Sequence, residues 1–204
     1  MTRGARLGPV LAAAVAGAAV AAGCGGQPAL VPPGILRVAA GQGPAAEVAT
    51  GFAAGDGRVI TVHHVLGTER AVAVSAPGGG VHRGTVLRSD ARADLAVLAV
   101  AGLRAPPLHR ASAGAGDAIS VRVLRDGRVR TLQGRVRRVI TARVRTAADP
   151  RPQVRPALEL TAPVREGDSG APVLDDGARV VGIVFAQAGD RDGLAYAVAS
   201  SALP

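Results

Sequence analysis

Arg165-Glu166-Gly167-Asp168-Ser169-Gly170-Ala171-Pro172 sets a serine in a glycine-flanked turn, just ahead of the apolar pair Val173-Leu174. A serine hydroxyl alone is a weak nucleophile. It needs a neighbouring base and a site for the negative charge that builds on the attacked carbonyl. Small residues on both sides let a substrate backbone come close. They also let the amides of Gly167 and Ser169 turn toward one point, as an oxyanion hole requires. The same residues could equally form a polar turn between two strands. The rest of the chain decides between the two.

A serine nucleophile calls for an imidazole, and the imidazole for an acid that fixes its tautomer. The histidines are His63, His64, His82 and His109. His63 and His64 follow Val59-Ile60-Thr61-Val62, which reads as a strand. Asp94 opens Asp94-Leu95-Ala96-Val97-Leu98-Ala99-Val100, an apolar run suited to a buried strand. An acid at the mouth of such a strand needs a hydrogen-bond partner, and an imidazole N–H supplies one. Asp90 is the alternative acid, but it lacks the apolar run. His82 and His109 read as surface-loop residues.

These stretches resemble the chymotrypsin-like (trypsin-fold) serine peptidases. Thr61-Val62-His63-His64-Val65 is similar to that family's Thr-Ala-Ala-His-Val. Asp94-Leu95-Ala96-Val97-Leu98 is similar to its Asp-Leu-Ala-Leu-Leu, and Gly167 to Pro172 to its Gly-Asp-Ser-Gly-Gly-Pro. The order His, Asp, Ser is the family's order. Thr50-Gly51-Phe52 resembles its Gly-Ser-Gly-Phe strand. Val181 to Val184 and Gly193 to Val198 resemble the two strands that line its specificity pocket. The resemblance spans residues 35 to 200 and implies the catalytic set His64, Asp94 and Ser169, with Gly167 and Ser169 as oxyanion donors. It departs from the pattern at His63, where the family has Ala, and at Ala171, where it has Gly. His63 is therefore the alternative base. A catalytically inactive binding module on the same fold is the alternative function.

The resemblance also implies an all-β fold of two six-stranded antiparallel barrels with the active site in the cleft between them. Gly (28 residues) and Pro (14) cluster between short Val-rich runs, as an all-β chain requires. Strands are expected on both sides of Pro106-Pro107, among them Val129–Leu132 and Arg135–Val144 as separate strands, with Gly55-Asp56-Gly57, Asp126-Gly127 and Asp175-Asp176-Gly177 as turns and a Pro-rich loop from Pro150 to Pro156. Barrel one is expected over about 35–107 and barrel two over about 108–204. Only Phe52, Phe185 and Tyr196 are aromatic, so Val, Ala and Leu must build the core.

Specificity follows by the same resemblance. The base of the primary pocket falls near Pro163 and Val164, with no acid there. Phe185, Ala186 and Gln187 would pair with the substrate backbone, and Ala195 would lie at the pocket wall. Small or medium apolar residues are expected before the scissile bond. In digestive relatives the acid matching Asp168 pairs with a freed N-terminal amine. This chain has no Ile-Val-Gly-Gly-like start near Ile35, so the oxyanion loop is expected to be preformed, or ordered by substrate or a partner.

The net charge is +9, carried entirely by arginine. Nine arginines fall between Arg122 and Arg145, several alternating with apolar residues. They read as the wet face of strands rather than as a lipid, polymer or nucleic-acid site. Stacking aromatics are too few for nucleic acid. No cofactor or metal is expected, and the partner is a protein or peptide substrate.

The N-terminus has the layout of an export signal. Two arginines in Met1–Arg6 precede the uncharged stretch Leu7–Gly23. Ala21-Ala22-Gly23-Cys24 resembles a bacterial lipobox, with Ala21 where Leu or Val is usual. Residues 1–26 are thus a lipoprotein signal with Cys24 lipidated, a cleaved secretory signal or a short membrane anchor, and 27–34 a linker. Each places the 35–204 domain outside the cytoplasm. Cys24 is the chain's one cysteine, so the mature domain has no disulfide, in the manner of HtrA-like bacterial relatives. Only a short tail follows Ser169, so no PDZ domain is expected.

Overall fold

Twelve strands close into two six-stranded antiparallel barrels, with no α-helix among the described residues. The computed structural model describes residues 34–145, 151–189 and 193–204. The expected signal, Cys24 and linker residues 27–33 lie outside them. The first barrel runs β1 (Ile35–Ala40), β2 (Glu47–Gly55), β3 (Arg58–Thr61), β4 (Ala71–Ser75), β5 (Val81–Asp90) and β6 (Leu95–Val100). The second runs β7 (Ala118–Arg125), β8 (Arg128–Val144), β9 (Gln153–Thr161), β10 (Pro172–Leu174), β11 (Val180–Gln187) and β12 (Leu194–Ala199).

Turn chemistry sets the hairpins. Asp56-Gly57 and Asp126-Gly127 all take positive φ, the conformation a two-residue hairpin turn demands. They join β2 to β3 and β7 to β8, with Arg125 paired to Arg128 at the second turn. Closure needs strong local coiling, and bulges supply it. The register shifts between Val136 and Arg138 in β8 and between Val184 and Ala186 in β11.

Two expectations change. Val129–Leu132 and Arg135–Val144 are one continuous strand, β8. Gly134 does not break it. It is there because a Cβ would come within 2.4 Å of the Thr161 carbonyl on the neighbouring strand. The Pro150–Pro156 stretch is not all loop, because β9 begins at Gln153 and carries Arg155 and Pro156. Pro156 sits opposite Thr141 near the loop end of the β8–β9 hairpin, just beyond the last β12 pairing at Ala157, where a missing N–H costs little.

Small aliphatic residues do build the core, in three clusters. Leu36, Val38, Val59, Val74 and Leu98 fill barrel one. Val121, Val123, Leu158, Leu160 and Val173 fill barrel two. The third cluster is the seam: Phe52, Ile60 and Val62 of the first barrel meet Leu174, Ile183 and Val198 of the second. Each such fully buried side chain contributes about 1.5–3 kcal/mol. The seam therefore docks the barrels without any disulfide and fixes the cleft above it.

Candidate active site

Asp94 stands at the end of a tight turn before β6, with φ of 57°. Asp is one of the few residue types that tolerate this left-handed conformation. The turn is organised by Asp90, whose Oδ1 accepts the amides of Arg92 (2.9 Å) and Ala93 (3.1 Å). Asp90 is thus occupied with its own loop. The Asp94 carboxylate, buried at the barrel edge, points at His64. It accepts the backbone amide of His64 at 3.0 Å, and His64 Nδ1 lies 2.9 and 3.1 Å from its two oxygens. Imidazole and main chain are gripped together, so the ring cannot turn without losing a contact. A carboxylate only accepts, so this contact calls for the proton on Nδ1 and leaves the Nε2 lone pair free. His64 is 40% exposed along its side chain, open to the cleft. His63 faces elsewhere, with Nδ1 2.6 Å from the Ser89 hydroxyl.

Ser169 reaches the cleft from barrel two, and its turn is clamped onto barrel one. The Ser169 carbonyl accepts the Thr50 amide at 2.8 Å, and the Thr61 hydroxyl donates to the Thr50 carbonyl at 2.9 Å. Thr61 lies on β3, three residues before His64. Gly170 has φ of +81°, and a Cβ there would sit 1.9 Å from the Thr50 carbonyl oxygen. Only glycine lets the two backbones meet. Among the described residues the amides of Gly167 and Ser169 donate to no protein carbonyl, so both remain available to an oxyanion. No hydrogen bond joins the Ser169 hydroxyl to His64 among the described residues, and such contacts commonly tighten when substrate binds.

Asp168 has a partner that the sequence did not reveal. Its carboxylate is 1% exposed. Arg125, at the end of β7, donates Nε–H to Oδ1 at 2.9 Å and an Nη2–H to Oδ2 at 2.5 Å. The Arg165 amide adds a third donor at 2.9 Å, and Arg125 also reaches the Pro163 carbonyl. The hydrogen bond to Asp168 pushes the Arg125 guanidinium further above its ordinary value. Residues 163–168 are thereby tied into one preformed loop. Arg125 was grouped with the wet arginines of the strands; it turns inward instead.

Arg155 was missed as well. It is 3% exposed and comes from β9. It donates to the Ala93 carbonyl at 3.2 Å, lies 3.4 Å from Asp94 Oδ2 and sits 5.2 Å over the Phe185 ring. One guanidinium so joins the candidate acid on barrel one to β11 on barrel two. Its Nε has no partner among the described residues. The signal available in the sequence was its phase: Arg155 shares strand parity with Ala157 and Glu159, which are buried.

Beside Ser169 opens a hollow of about 270 Å³, walled by Val164, Val184 and Ala186 and rimmed by Arg165, Glu166 and Gln187. Of the residues expected to contact substrate, Val164, Ala186 and Gln187 line it. Pro163 and Ala195 do not line it: Ala195 is fully buried in the barrel-two core, and Pro163 is exposed outside the hollow. Past Val184 the strand β11 loses its β10 neighbour, since Pro172 pairs with Ile183 and Val184 closes on Gly170 and Ala171. Phe185, Ala186 and Gln187 therefore have one open edge. No group of His, Cys, Asp and Glu among the described residues could hold a metal.

Comparison with known proteins shows the family. The trypsin-like peptidase domain family matches residues 49–183. The serine protease Rv3671c of Mycobacterium tuberculosis is 35% identical over 145 residues, which are 69% of this chain but 36% of that protein. The chain thus spans about a third of the length of this curated relative. The crystal structure of Rv3671c protease in its active form superposes with a TM-score of 0.77 at 29% identity, covering 84% of this chain and 78% of that one. The MamO protease domain of Magnetospirillum magneticum shares the fold, with a TM-score of 0.71 at 22% identity over 84% of this chain and 94% of its own. The chain belongs to the trypsin-like peptidase domain family.

Proposed function

We propose that the protein is a serine endopeptidase in which Ser169, His64 and Asp94 cleave peptide bonds through an acyl-enzyme. The observation that carries this reading is the double hold of Asp94 on the His64 ring and amide. A turn or a binding surface has no use for an imidazole locked in one tautomer. The Nε2 lone pair takes the Ser169 proton as Oγ attacks the carbonyl, and the Gly167 and Ser169 amides receive the oxyanion. The imidazolium then protonates the leaving amine. Water, deprotonated by His64, releases the acyl group in a second round of the same steps. Asp94 stays ionised throughout, and Arg155 acts as a positioning residue that keeps its carboxylate turned to His64.

The apolar floor of the Ser169 hollow favours small or medium apolar side chains before the scissile bond. Arg165 and Glu166 at its rim offset each other's charge. An extended substrate adds a strand to the open edge of Phe185–Gln187. The signal pattern of residues 1–26 places the domain outside the cytoplasm. Lipid attachment at Cys24 is read by incorporation of labelled fatty acid that Cys24→Ala abolishes.

Fluorophosphonate labelling tests the catalytic assignment. The wild-type protein should label at Ser169, while Ser169→Ala should not label and His64→Ala should label far more slowly. Peptidase activity should fall by on the order of 10⁶-fold in either variant. Undiminished activity in either would sink the assignment and leave the binding-module reading.

A further inference from the structure

A second, larger groove also borders the open edge of β11. Its volume is about 600 Å³. Arg138 and Arg143 line it from β8 and Arg145 from just past its end, and Phe185 and Tyr196 add an aromatic lining. Ala186 and Gln187 wall both this groove and the hollow beside Ser169. A chain laid along the β11 edge into that hollow would hold its preceding residues over the groove.

The groove carries one described acid, Glu159, and that acid is already satisfied. It is 2% exposed, and Arg137 and Arg138 both bind it, at 2.7 and 2.6 Å. The bulge in β8 makes this possible. It turns two consecutive arginines toward one carboxylate, which a regular strand would send to opposite faces. Two cations share one anion there. Arg143 and Arg145 are exposed and form no ion pair among the described residues. Among the described residues the wall is therefore net positive, and a cleft concentrates such a field.

We propose that this groove is a subsite for acidic side chains two to four residues before the scissile bond. The enzyme would select peptides with Asp or Glu upstream of a small or medium apolar residue. This rests on the peptidase reading above. Two neighbouring guanidiniums can take a carboxylate in paired hydrogen bonds, while the aromatic lining covers the aliphatic stem.

Binding by Ser169→Ala protein, which leaves the peptide uncut, reads the groove separately from catalysis. Two fluorescent peptides differ only in Glu or Lys at those three positions. The Glu peptide should bind about tenfold more tightly at low salt, with the preference shrinking as salt rises. Arg143→Glu combined with Arg145→Glu should reverse the preference. The same reversal at Arg128 and Arg130, exposed residues off the groove, should keep it. Equal binding of the two peptides would overturn the proposal, as would a preference that moves with Arg128 and Arg130 instead. Fluorophosphonate labelling of the wild-type protein reports on the peptidase reading alone.

Discussion

The guanidinium of Arg125 holds both carboxylate oxygens of Asp168 inside the protein. In this family that acid can instead be held by a newly released N-terminal amine. Here the cation is built into β7, so the loop before Ser169 is set as soon as barrel two closes. Activity should not wait for a cut. A protein with an uncleavable N-terminal extension should label with fluorophosphonate at the same rate as one without. A rate that rises only after trimming would contradict this.

Removing Arg125 should be costly. Arg125→Met strands a buried carboxylate, a loss of about 3–5 kcal/mol, or roughly 10 °C in Tm. Arg125→Lys keeps the charge but not the two-pronged contact and should fall between. Calorimetry gives the stability, and labelling of the folded fraction gives the oxyanion loop.

Arg155→Met should separate positioning from binding. Asp94 would keep His64 but lose its second partner, so kcat should fall by up to about 10²-fold with KM little changed. Arg155→Lys should recover part of kcat. Loss of Tm with kcat intact in the folded enzyme would show Arg155 to be structural only.

The two glycines beside Ser169 should differ. Gly170→Ala drives a methyl group into the Thr50 carbonyl, so the barrels must part, at more than about 3 kcal/mol. Gly167 has open space around its Cβ position and only its φ of +87° to object. Gly167→Ala should cost about 1–2 kcal/mol of stability. Its effect on kcat should exceed its effect on folding, because the amide it displaces is one of the two proposed oxyanion donors. Denaturant titration beside kcat ranks the two.

Glu159 ties stability to pH. The Arg138 hydrogen bonds hold it below its ordinary value of 4.5, against the opposing effect of burial. A depressed carboxylate stabilises the fold above its unfolded value and ceases to do so as pH falls through its folded one. Stability from this cluster should be present at pH 6 and lost progressively below about pH 4.5. Glu159→Gln should flatten that acid limb, though exposure of Arg137 and Arg138 keeps the effect modest. Thermal melts from pH 3 to 7 would measure it.

The barrels were legible because turn residues and apolar runs are local signals. Asp56-Gly57 and Asp126-Gly127 announced hairpins, and Leu95–Val100 announced a buried strand. The meeting of His64 with Asp94 was legible through motif order. Arg125 and Arg155 were not, because each acts across a gap of more than forty residues in sequence. Nothing in strand alternation names a partner on another strand. The bulges escaped too: a shift of register at Val136–Arg138 depends on barrel closure, which no window of residues encodes. Nothing local marks the role of Gly134 either, because its missing side chain makes room for the Thr161 carbonyl on the strand beside it.

The left-handed backbone at Asp94 bears on how such a protein would change over time. That turn accepts Asp, Asn or Gly and little else, whatever the chemistry requires. A descendant that lost its activity would still be held to nearly the same residue at this position by geometry alone. Decay would surface first at His64 and Ser169, whose backbone places no such demand on the side chain. An intact acid in a relative would then say little about activity, whereas an intact histidine and serine would say much.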